Sequence, residues 1–248
     1  MKKILGILLW SVVLLGASEI KIAVAANVSY AIKPLIQVFH QSHPEIVVQT
    51  ILGSSGKLTA QIRHGSPVTL FMSANMKYPE ALYTEGMATQ KPVVYAQGAL
   101  ALFSVKRQDF SKGLALLQEQ SNEKIAIANP KTAPYGIAAA EALRKVKLYT
   151  VLTPKFVYGE SVSQTVTYAL KAADIGLIAK SSLFSPYMKQ FQKGVHWSDV
   201  KSSLYTPISQ GMVILKQGEN RAEVKAFYDF MLSAEAKKIL KSFGYKVQ

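Results

Sequence analysis

Cysteine is absent from the sequence, which removes disulfides, thiolate metal sites, a cysteine nucleophile and the lipidated cysteine of a lipoprotein anchor. Histidine is scarce: His40, His43, His64 and His196 show no His-x-x-x-His spacing, and no histidine metal centre is expected. Acidic residues number 15 against 29 Lys and Arg, for a formal charge of +14 at pH 7. Such a charge attracts anions. The basic residues are nevertheless scattered, without a long run and without interleaved aromatics, so nucleic acid is not an expected partner. No Ser-His-Asp set, nucleophile elbow or acid-base pair is identifiable, and no enzyme activity is expected. Long apolar runs are also missing, except at the start.

That start, Met1-Lys2-Lys3 followed by apolar Ile4 to Leu15 and small Gly16-Ala17-Ser18, has the layout of a secretory signal peptide and is short for a membrane span. Residues 1–18 are read as an export signal, and the remainder as a soluble periplasmic chain whose charge falls to about +12 with Lys2 and Lys3 gone. The rest is long enough to build a large core in one or two domains.

Strands and helices alternate along it. Ile20–Ala26 reads as a strand leading through Asn27-Val28 into a helix carrying Ile32, Leu35, Ile36 and Phe39; Pro34 should kink that helix or move its start. Ile46–Leu52 is a β-branched strand that ends in Gly53-Ser54-Ser55-Gly56-Lys57-Leu58, with a helix from Lys57 to Arg63. Leu70–Ala74 is a third strand and Tyr78–Glu85 a short helix. Lys124–Ala128 precedes a Pro- and Gly-containing turn to Gly136 and a helix over Ile137–Lys147. Phe156–Tyr158 leads through Gly159-Glu160-Ser161 into a helix bearing Val162 and Val166, and Asp174–Ala179 is a further strand. The last helices span about Arg221–Leu232 and Ala234–Phe243. Repeated βα units predict parallel sheets.

Two apolar stretches are too long for single strands and carry glycine near their middles: Val93–Val105 and Tyr205–Leu215. They read as crossings between two bodies. The predicted fold is α/β and two-lobed, each lobe a mostly parallel sheet flanked by helices, with residues 19–96 and 210–248 in lobe 1 and 97–209 in lobe 2. Strand-to-helix turns then fall at Ala26-Asn27, Ser54-Ser55, Tyr135-Gly136 and Ser161-Val162, two in each lobe. In open α/β sheets ligands bind beyond the carboxyl ends of the strands, where helix N-termini favour anions. Serine and asparagine at such turns also cap helices with no ligand present, and Tyr135 reads equally well as a packing residue.

The order and spacing of several stretches resemble the periplasmic molybdate-binding proteins, the solute receptors of ABC-type importers. They are Val24-Ala25-Ala26-Asn27, Gly53–Leu58, Gly65–Ala74, Asn129-Pro130, Pro134-Tyr135-Gly136 with Glu141-Ala142-Leu143, and Ala226–Met231 through Phe243-Gly244-Tyr245. The resemblance covers nearly the whole chain after the export signal. It implies the type II periplasmic-binding-protein fold, and a molybdate or tungstate oxyanion held by hydroxyls and backbone N–H groups without positive side chains. The implied ligand residues are Asn27 with Ala26, Ser55 with Ser54, Tyr135 and Val162. No cofactor or direct metal-cation ligand is implied; the partner is a membrane permease, and a monomer is expected. Some family members have a tyrosine where this chain has Ala179, and Tyr135 stands where others have alanine. Sulfate or another tetrahedral oxyanion is the alternative ligand. Ferric iron is a further one, against which the absence of adjacent paired tyrosines weighs. The porphobilinogen deaminases, enzymes of related architecture, need a cysteine that this chain lacks.

Overall fold

The structure, a computed structural model, describes residues 18–247. The expected export signal lies outside them, apart from Ser18, which opens strand β1 (Ser18–Ala25). The first sheet continues with β2 (Ile46–Gly53), β3 (Leu70–Met72) and β4 (Val93–Gly98), and takes back a late strand, Ile208–Ile214, in the order β2, β1, β3, the late strand, β4. The second sheet consists of β5 (Leu100–Phe103), β6 (Ile125–Ala128), β7 (Phe156–Gly159), β8 (Ile175–Ala179) and β9 (Trp197–Asp199), ordered β7-β6-β8-β5-β9. The late strand, Ile208–Ile214, is therefore β10.

The chain leaves the first sheet along β4, enters the second at β5 after the single residue Ala99, and returns along β10. This gives the two-lobed α/β fold. Each sheet is mostly parallel, as expected, with four strands running one way and a single strand, β10 in the first and β5 in the second, running against them. The pairs β1–β2, β1–β3, β6–β7 and β6–β8 are parallel, but β10 runs antiparallel to β3 and β4, and β5 antiparallel to β8 and β9. The physical reason is the double crossing: a strand that returns beside the one that left must run the other way.

Alternation along the strands decides which side chains meet which helices. In β1, Ile20, Ile22 and Val24 pack with Phe39, Phe227 and Met231, whereas Ala23 faces Leu58, Phe71 and Leu82. In lobe 2, Leu100, Leu102, Ile125 and Ile127 share one core, and Ala101, Phe103 and Ala126 the other. Both faces of the second sheet are covered, so β5 and β6 are apolar throughout rather than alternating with polar residues. The covering helices of lobe 1 are α1 (Ile32–Ser42), α2 (Ser55–Arg63), α3 (Lys77–Thr84) and, after lobe 2, the pair Ala222–Leu232 and Ala234–Ser242. Lobe 2 supplies α4 (Pro134–Lys145), the short α5 (Tyr149–Leu152) and α6 (Val162–Lys171), so the closing pair is α7 and α8. Pro34 does not kink α1; it falls in the first turn, where its missing N–H has no intrahelical acceptor to lose. No helix among the described residues is long and apolar enough to cross a membrane.

Strand register places the turns. Ala25 lies opposite Gly53 at the ends of β1 and β2, and Ala128 opposite Gly159 at the ends of β6 and β7. In each lobe, two parallel strands thus finish at the same level, and the two turns that follow them stand side by side.

Candidate functional site

The four turns converge on one small space. Its walls are Ala25, Ala26 and Asn27, then Gly53, Ser54 and Ser55 with Ala74, all from lobe 1, and Ala133, Pro134, Tyr135 and Val162 from lobe 2. All six residues expected at the site from the sequence are among them. The space is small, about 10 Å3, far below the roughly 300–1,000 Å3 of pockets for drug-sized molecules, so only a very small ligand is in question there. Asn27, Ser54, Ser55 and Tyr135 are each buried, and the lobes meet around them. No charged side chain lines the space.

Its donors arise from helix starts. The first N–H groups of a helix have no intrahelical acceptor, and here the first turns of α2, α4 and α6 begin at Ser55, Pro134 and Val162. The turn after β1 is a 3-10 segment, Ala26–Val28. The Ala26 carbonyl accepts from the Ser29 N–H. The peptide plane therefore aims the Asn27 N–H the opposite way, out of the start of the segment.

The two serines act differently. Ser54 holds the N-cap position of α2, yet its hydroxyl makes no capping bond and is buried with no protein partner. A cap was its ordinary explanation, and the geometry withdraws it. Ser55 Oγ accepts from the Ala74 N–H at 2.9 Å, which fixes the oxygen and leaves its proton free to donate. At α6 the cap is conventional: Ser161 Oγ accepts from the Gln164 N–H, and Val162 contributes through its backbone.

Asn27 is not a cap either. Its Nδ2 donates to Gln210 Oε1 at 2.9 Å and to Tyr245 Oη at 3.0 Å, and its carbonyl accepts from Tyr245 Oη and Ser181 Oγ. Tyr95 Oη also donates to Gln210 Oε1, at 2.9 Å. Burial pushes the Tyr135 and Tyr95 hydroxyls well above the usual tyrosine range. Burial likewise raises Tyr245, against the hydrogen bonds from Ser181, Asn27 and Gln210, to about 12. All three stay neutral around the site, so none adds negative charge beside an anion.

Helix α4 starts at Pro134, three residues before the Ile137 start expected from the sequence. Proline is a favoured first helical residue, its fixed φ and absent N–H costing nothing there. Tyr135 is thus in the first helical turn, not in a loop before it. Residues not anticipated are Ala74, which orients Ser55, and Gln210, Tyr245, Tyr95 and Ser181, which hold the Asn27 turn. Ala74 and Tyr245 fall in stretches that carry the family resemblance, with no role read for them there, and Gln210 is a polar residue within the apolar β10.

Contacts between the lobes ring the site. The Gly56 N–H donates to the Thr132 carbonyl at 2.9 Å. A Cβ on Gly56 would come within 2.8 Å of that same oxygen, so glycine permits the approach. Lys57 pairs with Glu160 at 2.7 Å, both about half exposed. Glu160, the one carboxylate near a turn, is thereby engaged at the rim and does not line the space. Among the described residues there is no cluster of three or more His, Cys, Asp or Glu able to hold a metal cation.

Fold and site together define a two-lobed α/β protein with a small space between its lobes, lined by helix starts and uncharged side chains. Residues 20–246 match the family of bacterial extracellular solute-binding proteins. The chain is 35% identical over 232 residues to the molybdate-binding protein ModA of Rhodobacter capsulatus, covering 93% of this chain and 89% of that one. It is 33% identical over 234 residues to ModA of Azotobacter vinelandii, covering 94% and 91%. The solved periplasmic molybdate-binding protein of Azotobacter vinelandii superposes with a TM-score of 0.85 at 30% identity, over 92% of this chain and 99% of that chain. The chain belongs to the bacterial extracellular solute-binding proteins and, within them, to the family of the ModA proteins.

Proposed function

We propose that this chain is an exported, non-enzymatic receptor that closes over molybdate or tungstate and delivers it to the permease of an ABC importer, acting as a monomer without nucleic acid. The observation that carries the reading is the convergence of four turns, with the free Ser54 hydroxyl and the oriented Ser55 hydroxyl, on a space lined by no charged side chain. Similarity to molybdate-binding proteins supports the choice of ion.

The ligands we assign are the N–H groups at Ala26, Asn27, Ser55, Tyr135 and Val162 and the hydroxyls of Ser54 and Ser55. Such donors suit a fully deprotonated dianion, which only accepts; phosphate near neutral pH keeps a proton and needs an acceptor carboxylate. Preorganised donors at helix starts replace cationic side chains, each charge-assisted bond contributing about 1.5–3 kcal/mol. Ferric iron is disfavoured because Tyr135 is the one tyrosine among the residues lining the space and the sequence has no adjacent pair of tyrosines. The moving bodies we assign are residues 19–98 with 208–248, and 99–207, because Gln97, Gly98, Ile208 and Ser209 pair within the first sheet, two residues beyond the division expected from the sequence at each crossing. Binding then stabilises the closed arrangement of the lobes.

Calorimetric titration of the chain without residues 1–18 tests this reading. Tight binding of molybdate and tungstate with little of sulfate or phosphate is expected. A preference for sulfate overturns the assigned ion, and a preference for phosphate overturns the donor-only lining.

A further inference from the structure

Three buried polar atoms lie at the crossing strands without a protein partner: Tyr135 Oη, Gln210 Nε2 and Asn27 Oδ1. Their chemistry is complementary. The amide nitrogen only donates, the amide oxygen only accepts, and a tyrosine hydroxyl does both. They also share one neighbourhood. A Cβ on Gly98, the last residue of β4, would overlap Tyr135 Oη and lie 2.8 Å from Gln210 Nε2, and Asn27 and Tyr135 line the same small space. Tyr135 belongs to lobe 2 through α4, whereas Gly98, Gln210 and Asn27 belong to the first sheet and the turn that follows its β1. The hydroxyl of Tyr135 therefore reaches across to the crossing strand.

We propose that Tyr135 is a closure latch: its hydroxyl seats over Gly98 when the lobes close, accepting from Gln210 Nε2 and donating to Asn27 Oδ1. This rests on the receptor reading above, and it gives one residue two separate tasks. The Tyr135 N–H faces the anion at the start of α4, while its hydroxyl joins the network that holds the Asn27 turn in donor geometry. Gln210 is a positioning residue: its Oε1 accepts from Asn27 Nδ2 and Tyr95 Oη, and its Nε2 meets the incoming hydroxyl. The β-bulge between Gln210 and Gly211 marks this point of the return strand. Glycine at 98 is then a requirement of closure, because any side chain there occupies the seat of the hydroxyl.

The test measures molybdate affinity by calorimetry, and closure by the ligand-induced fall in radius of gyration in X-ray scattering. The chains are wild type, Gly98→Ala, Tyr135→Phe and the double variant. Gly98→Ala should weaken binding at least tenfold and suppress closure. Tyr135→Phe alone should cost about fivefold. The double variant should recover to near the single Tyr135→Phe value, since removing the hydroxyl reopens the seat and the flexible Gln210 amide can shift. Wild-type affinity for Gly98→Ala, or a double variant as weak as Gly98→Ala, overturns the latch. If Gly98→Ala does not fold, a double-mutant cycle of Tyr135→Phe and Gln210→Met replaces it. Coupling of threefold or more supports the latch, and additive effects overturn it. Failure of the wild type to bind any of the oxyanions is a separate result that strikes the receptor reading itself.

Discussion

Replacing the two adjacent serines one at a time separates ligand donors from structural ones. Ser54 Oγ is buried and unpartnered, so Ser54→Ala removes a group whose burial without a hydrogen bond is unfavourable. Stability without ligand should be unchanged or slightly higher. Binding should lose one charge-assisted hydrogen bond, about 1.5–3 kcal/mol, which is roughly 10- to 150-fold in Kd. Ser55→Ala differs because its oxygen accepts from the Ala74 N–H. That variant strands a buried backbone donor, at a cost of about 1–3 kcal/mol of folding free energy. Its affinity should fall by the same 10- to 150-fold, the stranded donor burdening the free and bound proteins alike. Urea unfolding of the ligand-free variants and calorimetric titration with molybdate measure the two quantities. Unchanged affinity for Ser54→Ala would refute the assignment of its free hydroxyl, and equal loss of stability in both variants would refute the distinction between them.

Further outcomes follow from the rim and the buried tyrosines. Gly56→Ala places a methyl against the Thr132 carbonyl, a backbone atom that cannot step aside. Molybdate affinity measured by calorimetric titration should fall at least tenfold. Lys57→Ala breaks a half-exposed pair, worth at most about 1 kcal/mol, so Kd should change less than about fivefold; a larger loss on titration would give Lys57 a direct role at the anion. Burial raises Tyr245 from 10.0 to about 12 in the folded protein. The folded state then holds its proton more tightly than the unfolded one. Tyr245 thus contributes stability that is complete below about pH 10 and declines as pH rises toward 12. Denaturant unfolding between pH 9 and 12 should show that decline, and Tyr245→Phe should make it shallower.

Much of this site was legible because its physics is local. A strand ending in Gly53-Ser54-Ser55-Gly56 announces a helix start whatever surrounds it, and the same holds for Ser161-Val162. The crossings were legible from length and glycine placement, and β4 to β5 does run straight on with one residue between. Local composition misled at α4, where Asn129-Pro130 and Pro134-Tyr135-Gly136 read as loop although Pro134 is the first residue of the helix. What stayed hidden is long-range. Asn27 meets Gln210 and Tyr245 across separations of 183 and 218 residues, and no periodicity encodes such a pairing. The antiparallel partners of β10 were hidden for the same reason: strand direction follows from how the chain crosses and returns, not from any one segment.

In the proposed receptor, neutral donors from four turns hold the anion without a cationic side chain. Crystals grown with molybdate, with the metal located by its anomalous scattering, test it most directly. One peak is expected among Asn27, Ser54, Ser55, Tyr135 and Val162, its oxygens at hydrogen-bond distance from their N–H and hydroxyl groups and no lysine or arginine in contact. A peak outside that space, or one held by Lys57 or another cation, would contradict it.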